Sequence, residues 1–312
     1  MNMSRDRLSM GLPRCLAVLL LYAAATPAAA PAGEPAVSPE FPPLSESRVV
    51  EHHMGKVIWT ELVTPNLAAS QAFYSGLFGW TFREMRAGES DYGIAEANGR
   101  SIGGVVQRAI APGEQKQSNW LTFIAVRDTD AAKHEVLARG GKVLAEPTTY
   151  RGRGRQAVFS DPDGAAFAVI ASSSGDSRDF LAAPGEWIWS SLLAQDPKGS
   201  AKFYKRVFGY DVFDLPSDDG FEHVVLSTEG YARAGIHSLP ADSVRRHSHW
   251  INFVRVIDAT QAASKATALG GRVLVEPHVD RHGGRVALLA DPNGARFGVM
   301  EWTAADSKAE PK

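Results

Sequence analysis

The 312-residue chain has a single cysteine, Cys15. Without a second thiol it can form neither an intrachain disulfide nor a thiolate metal site, so its stability must come from packing. It also lacks an excess of charge of either sign: 33 Lys and Arg face 35 Asp and Glu, for a net −2. That balance gives no electrostatic reason to expect nucleic acid or an anionic membrane as a partner. Long hydrophobic runs are missing too. The most apolar stretch, CLAVLLLYAAA at 15–25, falls well short of the roughly 20 residues a spanning helix needs. It follows Arg5, Arg7 and Arg14 and precedes TPAAAPA, which is the layout of a secretory signal peptide. Residues 1–32 are therefore expected to leave with Cys15. The rest is expected to be exported to a periplasm or the medium, with no stable membrane insertion after cleavage. The glycines of GRSIGGVV and YARAGIHS lack the Lys and following helix of a phosphate loop, and no nucleophile elbow is present.

Apolar residues make up 44% of the chain, enough for more than one core, and the pattern is written twice. VFSDPDGAAFAV at 158–169 returns as LLADPNGARFGV at 288–299. The same offset of 130 relates Trp59 to Trp189, Phe73-Tyr74 to Phe203-Tyr204, Trp120 to Trp250, Asp128 to Asp258 and Arg155 to Arg285. A period that long marks a duplicated domain and excludes a short solenoid repeat. Composition sets the boundaries: a Pro/Ala-rich leader at 33–55, a first domain at 56–171, a linker at 172–185, a second domain at 186–302 and a polar tail at 303–312.

Within the first copy, VIWTELVT reads as a strand. NLAASQAFYSGLFG reads as a helix capped by Asn66 and ended by Gly79, and three short strands follow. The order recurs from WLTFIAVR onward, so each copy holds two strand-helix-strand-strand-strand modules. With FY and LFGW or VFGY in the first helix and DPxG before the last strand, this order resembles the vicinal oxygen chelate superfamily of glyoxalases, bleomycin-resistance proteins and dioxygenases. The resemblance implies an α+β fold of two tandem domains, each a cupped mixed sheet of two βαβββ modules with helices outside. It also implies a divalent metal held inside the cup, by His or Gln on first strands and Glu on a last strand.

Placed on this sequence, those ligand positions fall on Trp59, Leu121 and Ala168 in the first copy and on Trp189, Ile251 and Gly298 in the second. None of these side chains donates to a metal, so no cofactor is expected, a divalent metal being the alternative. The six are expected instead to line apolar clefts for a small hydrophobic or planar molecule. Whether Trp59 and Trp189 face a ligand or only fill the former metal cavity stays open. Glu61 shares the face of Trp59 and is a candidate proton acceptor or hydrogen-bond anchor, with Ser191 at the matching place. His223 and His249 are candidates for an acid–base pair or a weak metal site. Arg151, Arg153, His278, Arg281 and His282 are expected in loops able to close over an anion, and Arg155 and Arg285 are expected to pair with the adjacent Asp turn. Three readings follow: a binding protein, an enzyme of the lyase, isomerase or dioxygenase type with non-standard residues, and an interaction module. Oligomeric state is not legible.

Overall fold

A computed structural model describes residues 41–44, 50–87, 90–108, 118–216, 222–239, 247–280 and 283–302. The expected signal peptide and the polar tail lie outside them, as do Arg281 and His282. The first domain runs β1 (Val57–Thr64), α1 (Leu67–Phe78), β2 (Thr81–Ala87), β3 (Ser90–Ala97), β4 (Arg100–Gln107), β5 (Asn119–Ala125), α2 (Thr129–Ala138), β6 (Lys142–Tyr150), β7 (Gly154–Ser160) and β8 (Ala166–Ser172). The second runs β9 (Trp187–Ala194), α3 (Pro197–Phe208), β10 (Asp211–Leu215), β11 (His223–Thr228), β12 (Tyr231–Ser238), β13 (His249–Val256), α4 (Ala259–Ala268), β14 (Arg272–Val279), β15 (Arg285–Ala290) and β16 (Arg296–Glu301).

Local chemistry sets these boundaries. The Asn66 side chain accepts the Ala69 N–H at 3.0 Å at the start of α1, and Gly79 ends the helix at φ +76 while donating to Ser75 O. Asp128, Asp196 and Asp258 cap the other three helices in the same way. Each domain closes one eight-stranded sheet, in the orders β2-β3-β4-β1-β5-β8-β7-β6 and β10-β11-β12-β9-β13-β16-β15-β14. Within a module the first strand lies parallel to the last, while the two modules meet antiparallel at β1–β5 and at β9–β13. The two first strands of a domain therefore sit side by side at the centre of its sheet.

The helices cover one face of each sheet, and there the two domains pack together, α1 against α4 and α2 against α3. Two cores result, and each draws on both domains. One joins Phe159 and Phe167 to Phe203, Tyr204 and Trp250; the other joins Phe73, Tyr74 and Trp120 to Ala263, Leu289 and Phe297. The duplicated motifs build this seam. Trp250 Nε1 donates to Tyr204 Oη at 3.0 Å, and Tyr204 Oη donates to Asp161 Oδ2 of the other domain's DPxG turn at 3.2 Å. On the mirror side Trp120 Nε1 donates to Tyr74 Oη at 2.8 Å, and Tyr74 faces Asp291. The two copies thus pair within one chain through these helix-covered faces. Their other faces form two separate cups.

Just ahead of β1 the chain is tied to both domains. Tyr210 Oη donates to Gly55 O, Thr228 Oγ1 donates to Met54 O, and Lys56 Nζ meets Asp179, which also binds Arg233. Arg155 does not pair with the adjacent Asp turn as expected. It meets Asp130 on α2 at 2.8 Å, because alternation along β7 turns its side chain to the helix side while Asp161 folds into its own turn.

Candidate functional site

On β1, Trp59, Glu61 and Val63 point into the first cup, and Leu62 points into the core between the domains. The cup is lined by Trp59, Ile94, Leu121, Phe123, Val158 and Ala168, all buried. Into this apolar setting the chain brings several buried polar groups. Arg153, only 1% exposed, reaches in from the loop between β6 and β7, and its Nη2 donates to Tyr92 Oη at 3.3 Å. Tyr92 Oη in turn donates to Glu61 Oε2 at 2.8 Å, with Glu61 3% exposed. Gly104 on β4 makes this possible, since a Cβ there would lie 1.9 Å from the Tyr92 oxygen. Burial pushes the Tyr92 phenol well above its ordinary value, Arg153 opposing and the Glu61 charge adding. Tyr150 is pushed up to about 12, first by burial and then by Glu61.

This cup is also closed by the chain itself. Phe41 of the leader packs edge-on against Tyr92 and Tyr150, each at 5.3 Å between ring centres. The Arg153 guanidinium lies 5.1 Å from the Phe41 ring and 4.8 Å from the Trp59 ring. The strap is tied down by Phe41 N donating to Arg151 O and Leu44 N donating to Ser174 Oγ. Gly152 leaves room for it: a Cβ there would lie 2.2 Å from Phe41 O. Arg153 thus closes over the chain's own rings and its Tyr92 hydroxyl.

The second cup keeps the frame and changes the contents. Strand pairing aligns His223, His237, Leu193 and His249 in one row across β11, β12, β9 and β13, facing the same side. The next row holds Gly235, Ser191 and Ile251. His223 Nδ1 and His237 Nδ1 are 2.7 Å apart, and Trp189 Nε1 donates to Ser191 Oγ at 3.0 Å. His249 Nδ1 lies 3.0 Å from His247 O. Gly298 has no side chain because the Phe253 ring lies where one would go, 2.1 Å from its Cβ position. Trp189, His223, His237 and Phe253 are all partly exposed, whereas Trp59, Tyr92 and Phe123 are buried.

The structure therefore places all six cleft-lining candidates, Trp59, Leu121, Ala168, Trp189, Ile251 and Gly298, at the cups, three to each. Of the polar candidates it separates Glu61 from His223 and His249, which belong to the other cup. His223 has His237 as its close partner, with His249 two strands further along the row. Sequence reading missed His237, Tyr92 and Phe41. An extra residue in the second copy shifts His237 to an offset of 131 from Val106, and the leader gave no periodic signal at all. Glu301 turns away from the cup, accepting the Ala259 and Arg285 N–H groups.

Residues 56–169 match the Glyoxalase/Bleomycin resistance protein/Dioxygenase superfamily, and residues 190–300 match a glyoxalase-like domain. The chain belongs to this superfamily, as two tandem domains. It is 30% identical over 253 residues to the putative glyoxylase CFP32 of Mycobacterium tuberculosis, covering 80% of this chain and 96% of that protein. It is 32% identical over 262 residues to the anthracycline biosynthesis protein DnrV of Streptomyces peucetius, covering 79% and 93%. Among solved structures, the Mn(II)-bound glyoxalase from Novosphingobium aromaticivorans aligns with a TM-score of 0.55 at 18% identity, over 80% of this chain and 83% of that one. The 2,3-dioxygenase LapB from Pseudomonas sp. KL28 aligns at 0.55 and 15%, over 81% and 94%. At these identities the likeness is one of fold.

A divalent ion requires imidazole nitrogen, carboxylate oxygen or a comparable donor. The ligand positions expected from the superfamily offer two indoles, two aliphatic chains, a methyl group and a bare glycine, a set that does not fit such an ion. The His223–His237 pair contributes two imidazoles, with Nδ1 atoms 2.7 Å apart. Among the described residues no group of three or more His, Cys, Asp or Glu is placed to hold a metal.

Proposed function

We propose that this is an exported member of the superfamily that binds a small planar or hydrophobic molecule in an aromatic-lined cup, without a resident divalent ion at the positions its superfamily uses. The observation that carries this reading is the lining. Indole rings and aliphatic groups stand where donors would be, around a few polar atoms that fix orientation, which is the usual make-up of a small-molecule pocket. The relatives named as a putative glyoxylase and as an anthracycline biosynthesis protein are both named for small-molecule chemistry, which supports the reading. The open second cup is the site available to a ligand, since Phe41 occupies the first. Export rests on the leader alone.

The test is ligand titration of tryptophan fluorescence with and without EDTA, in wild type and in Trp189→Ala. Quenching that survives EDTA and weakens in the variant supports the binder. Activity that appears only with added Ni, Zn, Mn or Fe would replace it with a metalloenzyme. The His223–His237 contact beside Ser191 favours a second reading, an acid–base enzyme in which this pair moves a proton. Turnover lost in His237→Val with binding retained would single it out.

A further inference from the structure

We propose that the first cup is a peptide site, a receptor for an extended segment in which an aromatic residue is followed by two prolines and an aliphatic residue, and that residues 41–44 are its tethered ligand. This goes beyond the small-molecule reading of the second cup and does not depend on it.

The segment reads Phe41-Pro42-Pro43-Leu44. Proline holds its own φ at about −65° and keeps the residue before it extended, so these four residues favour the polyproline II helix before they meet any partner. That helix has about three residues per turn, which puts the first and fourth residues on one side. Phe41 and Leu44 both pack against the core of the first cup, while Pro43 between them is exposed. Because proline has no N–H, the segment has two backbone donors, and the cup answers both. Phe41 N–H donates to Arg151 O at 2.9 Å, and Leu44 N–H donates to Ser174 Oγ at 3.1 Å. Aromatic-lined grooves that recognise proline-rich peptides exploit the same low cost of ordering the ligand.

The cup is fitted to this segment. Tyr92 and Tyr150 meet the Phe41 ring edge-on, and the Arg153 guanidinium lies 5.1 Å from its centre. Gly152 has φ +81, and a Cβ on it would lie 2.2 Å from Phe41 O. A strap that merely covered apolar surface would need neither a guanidinium over its ring nor a glycine beside its carbonyl.

The second copy shows that these features form a set. At the matching positions His223 stands for Tyr92, Asp280 for Tyr150, His282 for Gly152 and Gly283 for Arg153. The ring partners, the cation and the bare backbone are exchanged together, and the peptide specificity is therefore a property of the first cup alone.

The test titrates the full mature chain with the peptide acetyl-Pro-Glu-Phe-Pro-Pro-Leu-Ser-Glu-amide, residues 39–46, by calorimetry. Wild type carries the same ligand on a short tether, at an effective concentration on the order of millimolar, so it should bind the added peptide at least about tenfold more weakly than Phe41→Ala/Leu44→Ala, which has lost both anchors. One peptide should bind per chain of the double variant, and a peptide with alanine in place of its phenylalanine should bind at least about tenfold more weakly. Gly152→Val, added to the double variant, should abolish binding. The proposal is overturned if the double variant binds no peptide at millimolar concentration, if wild type binds it equally well, or if the alanine peptide or the Gly152→Val chain binds as tightly. A double variant that does not fold overturns it too, because removing a tethered ligand leaves a fold intact. Small-molecule binding in the second cup, read by Trp189→Ala, stands or falls apart from all these outcomes.

Discussion

The two cups are built on one frame and filled in opposite ways. In the first, hydrogen bonds link a carboxylate, a phenol and a guanidinium out of solvent, and the leader's Phe41 closes the opening. In the second, histidines and a serine occupy the corresponding strands and the aromatic floor stays partly exposed. The helix-covered seam between the domains shows no such divergence. Tryptophan, tyrosine and DPxG aspartate recur there on both sides in the same roles. A seam residue contributes to both domains' cores, so exchanging it disturbs the whole molecule. A cup residue faces only its own cavity and can be exchanged with the fold intact.

The largest expected effect comes from unbalancing the closed cup. Arg153→Ala removes the guanidinium that bonds Tyr92 and covers Trp59 and Phe41, and it leaves Glu61 buried with less compensation. Breaking a buried charged group from one side costs about 3–5 kcal/mol, visible as a lower denaturant midpoint. Adding Glu61→Ser, the residue of the second cup, should recover at least half of that loss. A double variant as unstable as the single one would show that the charges of the first cup are not coupled and that Arg153 acts by packing alone.

Phe41→Ala ranks second. The ring is half-buried, so the loss should be about 1–2 kcal/mol, below the usual 3–5 for a fully buried phenylalanine. The more telling readout is occupancy. With the strap released, the first cup becomes a second aromatic site, and the stoichiometry of a bound aromatic probe should rise by one per chain. Stoichiometry unchanged, with the variant folded, would mean that Arg153 and Tyr150 keep the cup shut without the strap.

Much of this frame was legible in the sequence, because caps, alternation and the 130-residue offset are local or periodic signals. Asn66, Gly79 and the two DPxG turns sit where the spacing put them. The face of each strand followed from parity, so the six cleft-lining residues reached the cups. What local pattern could not supply was contact across distant segments. Phe41 meets Tyr92 and Tyr150 through a stretch with no periodicity, and Arg153 enters from a loop whose path depends on Gly152 and Gly154. His237 escaped notice because a one-residue insertion broke the offset just where the two cups differ most.

The seam offers a symmetric test of comparable size. Burial pushes both Asp161 and Asp291 up to about 6, against backbone N–H bonds that favour the charged form. Because these folded values lie above the unfolded value near 4, the folded chain binds the extra protons. The resulting stabilisation is full below about pH 4 and is lost as pH rises through 6, on the order of 1–3 kcal/mol for each carboxyl. Urea midpoints measured between pH 4 and 7 should show this slope, and Asp161→Asn and Asp291→Asn should each remove a similar share. If one substitution removes all of it, the two sides of the seam are not equivalent.

The smallest expected effect separates repetition from function. Arg155 and Arg285 obey the offset as well as any pair in the chain, yet they do different things. Arg155 bonds Asp130 on an exposed face, while the Arg285 side chain has no hydrogen bond or ion pair among the described residues. Exposed ion pairs of this kind are held weakly because water solvates both partners and salt screens them. Arg155→Ala and Arg285→Ala should therefore both leave the thermal midpoint and probe binding at the wild-type level, at low and at high salt. A clear loss in either would show that this repeated position holds a contact made only when the protein is at work, and the cups would no longer be the main place where the two domains differ.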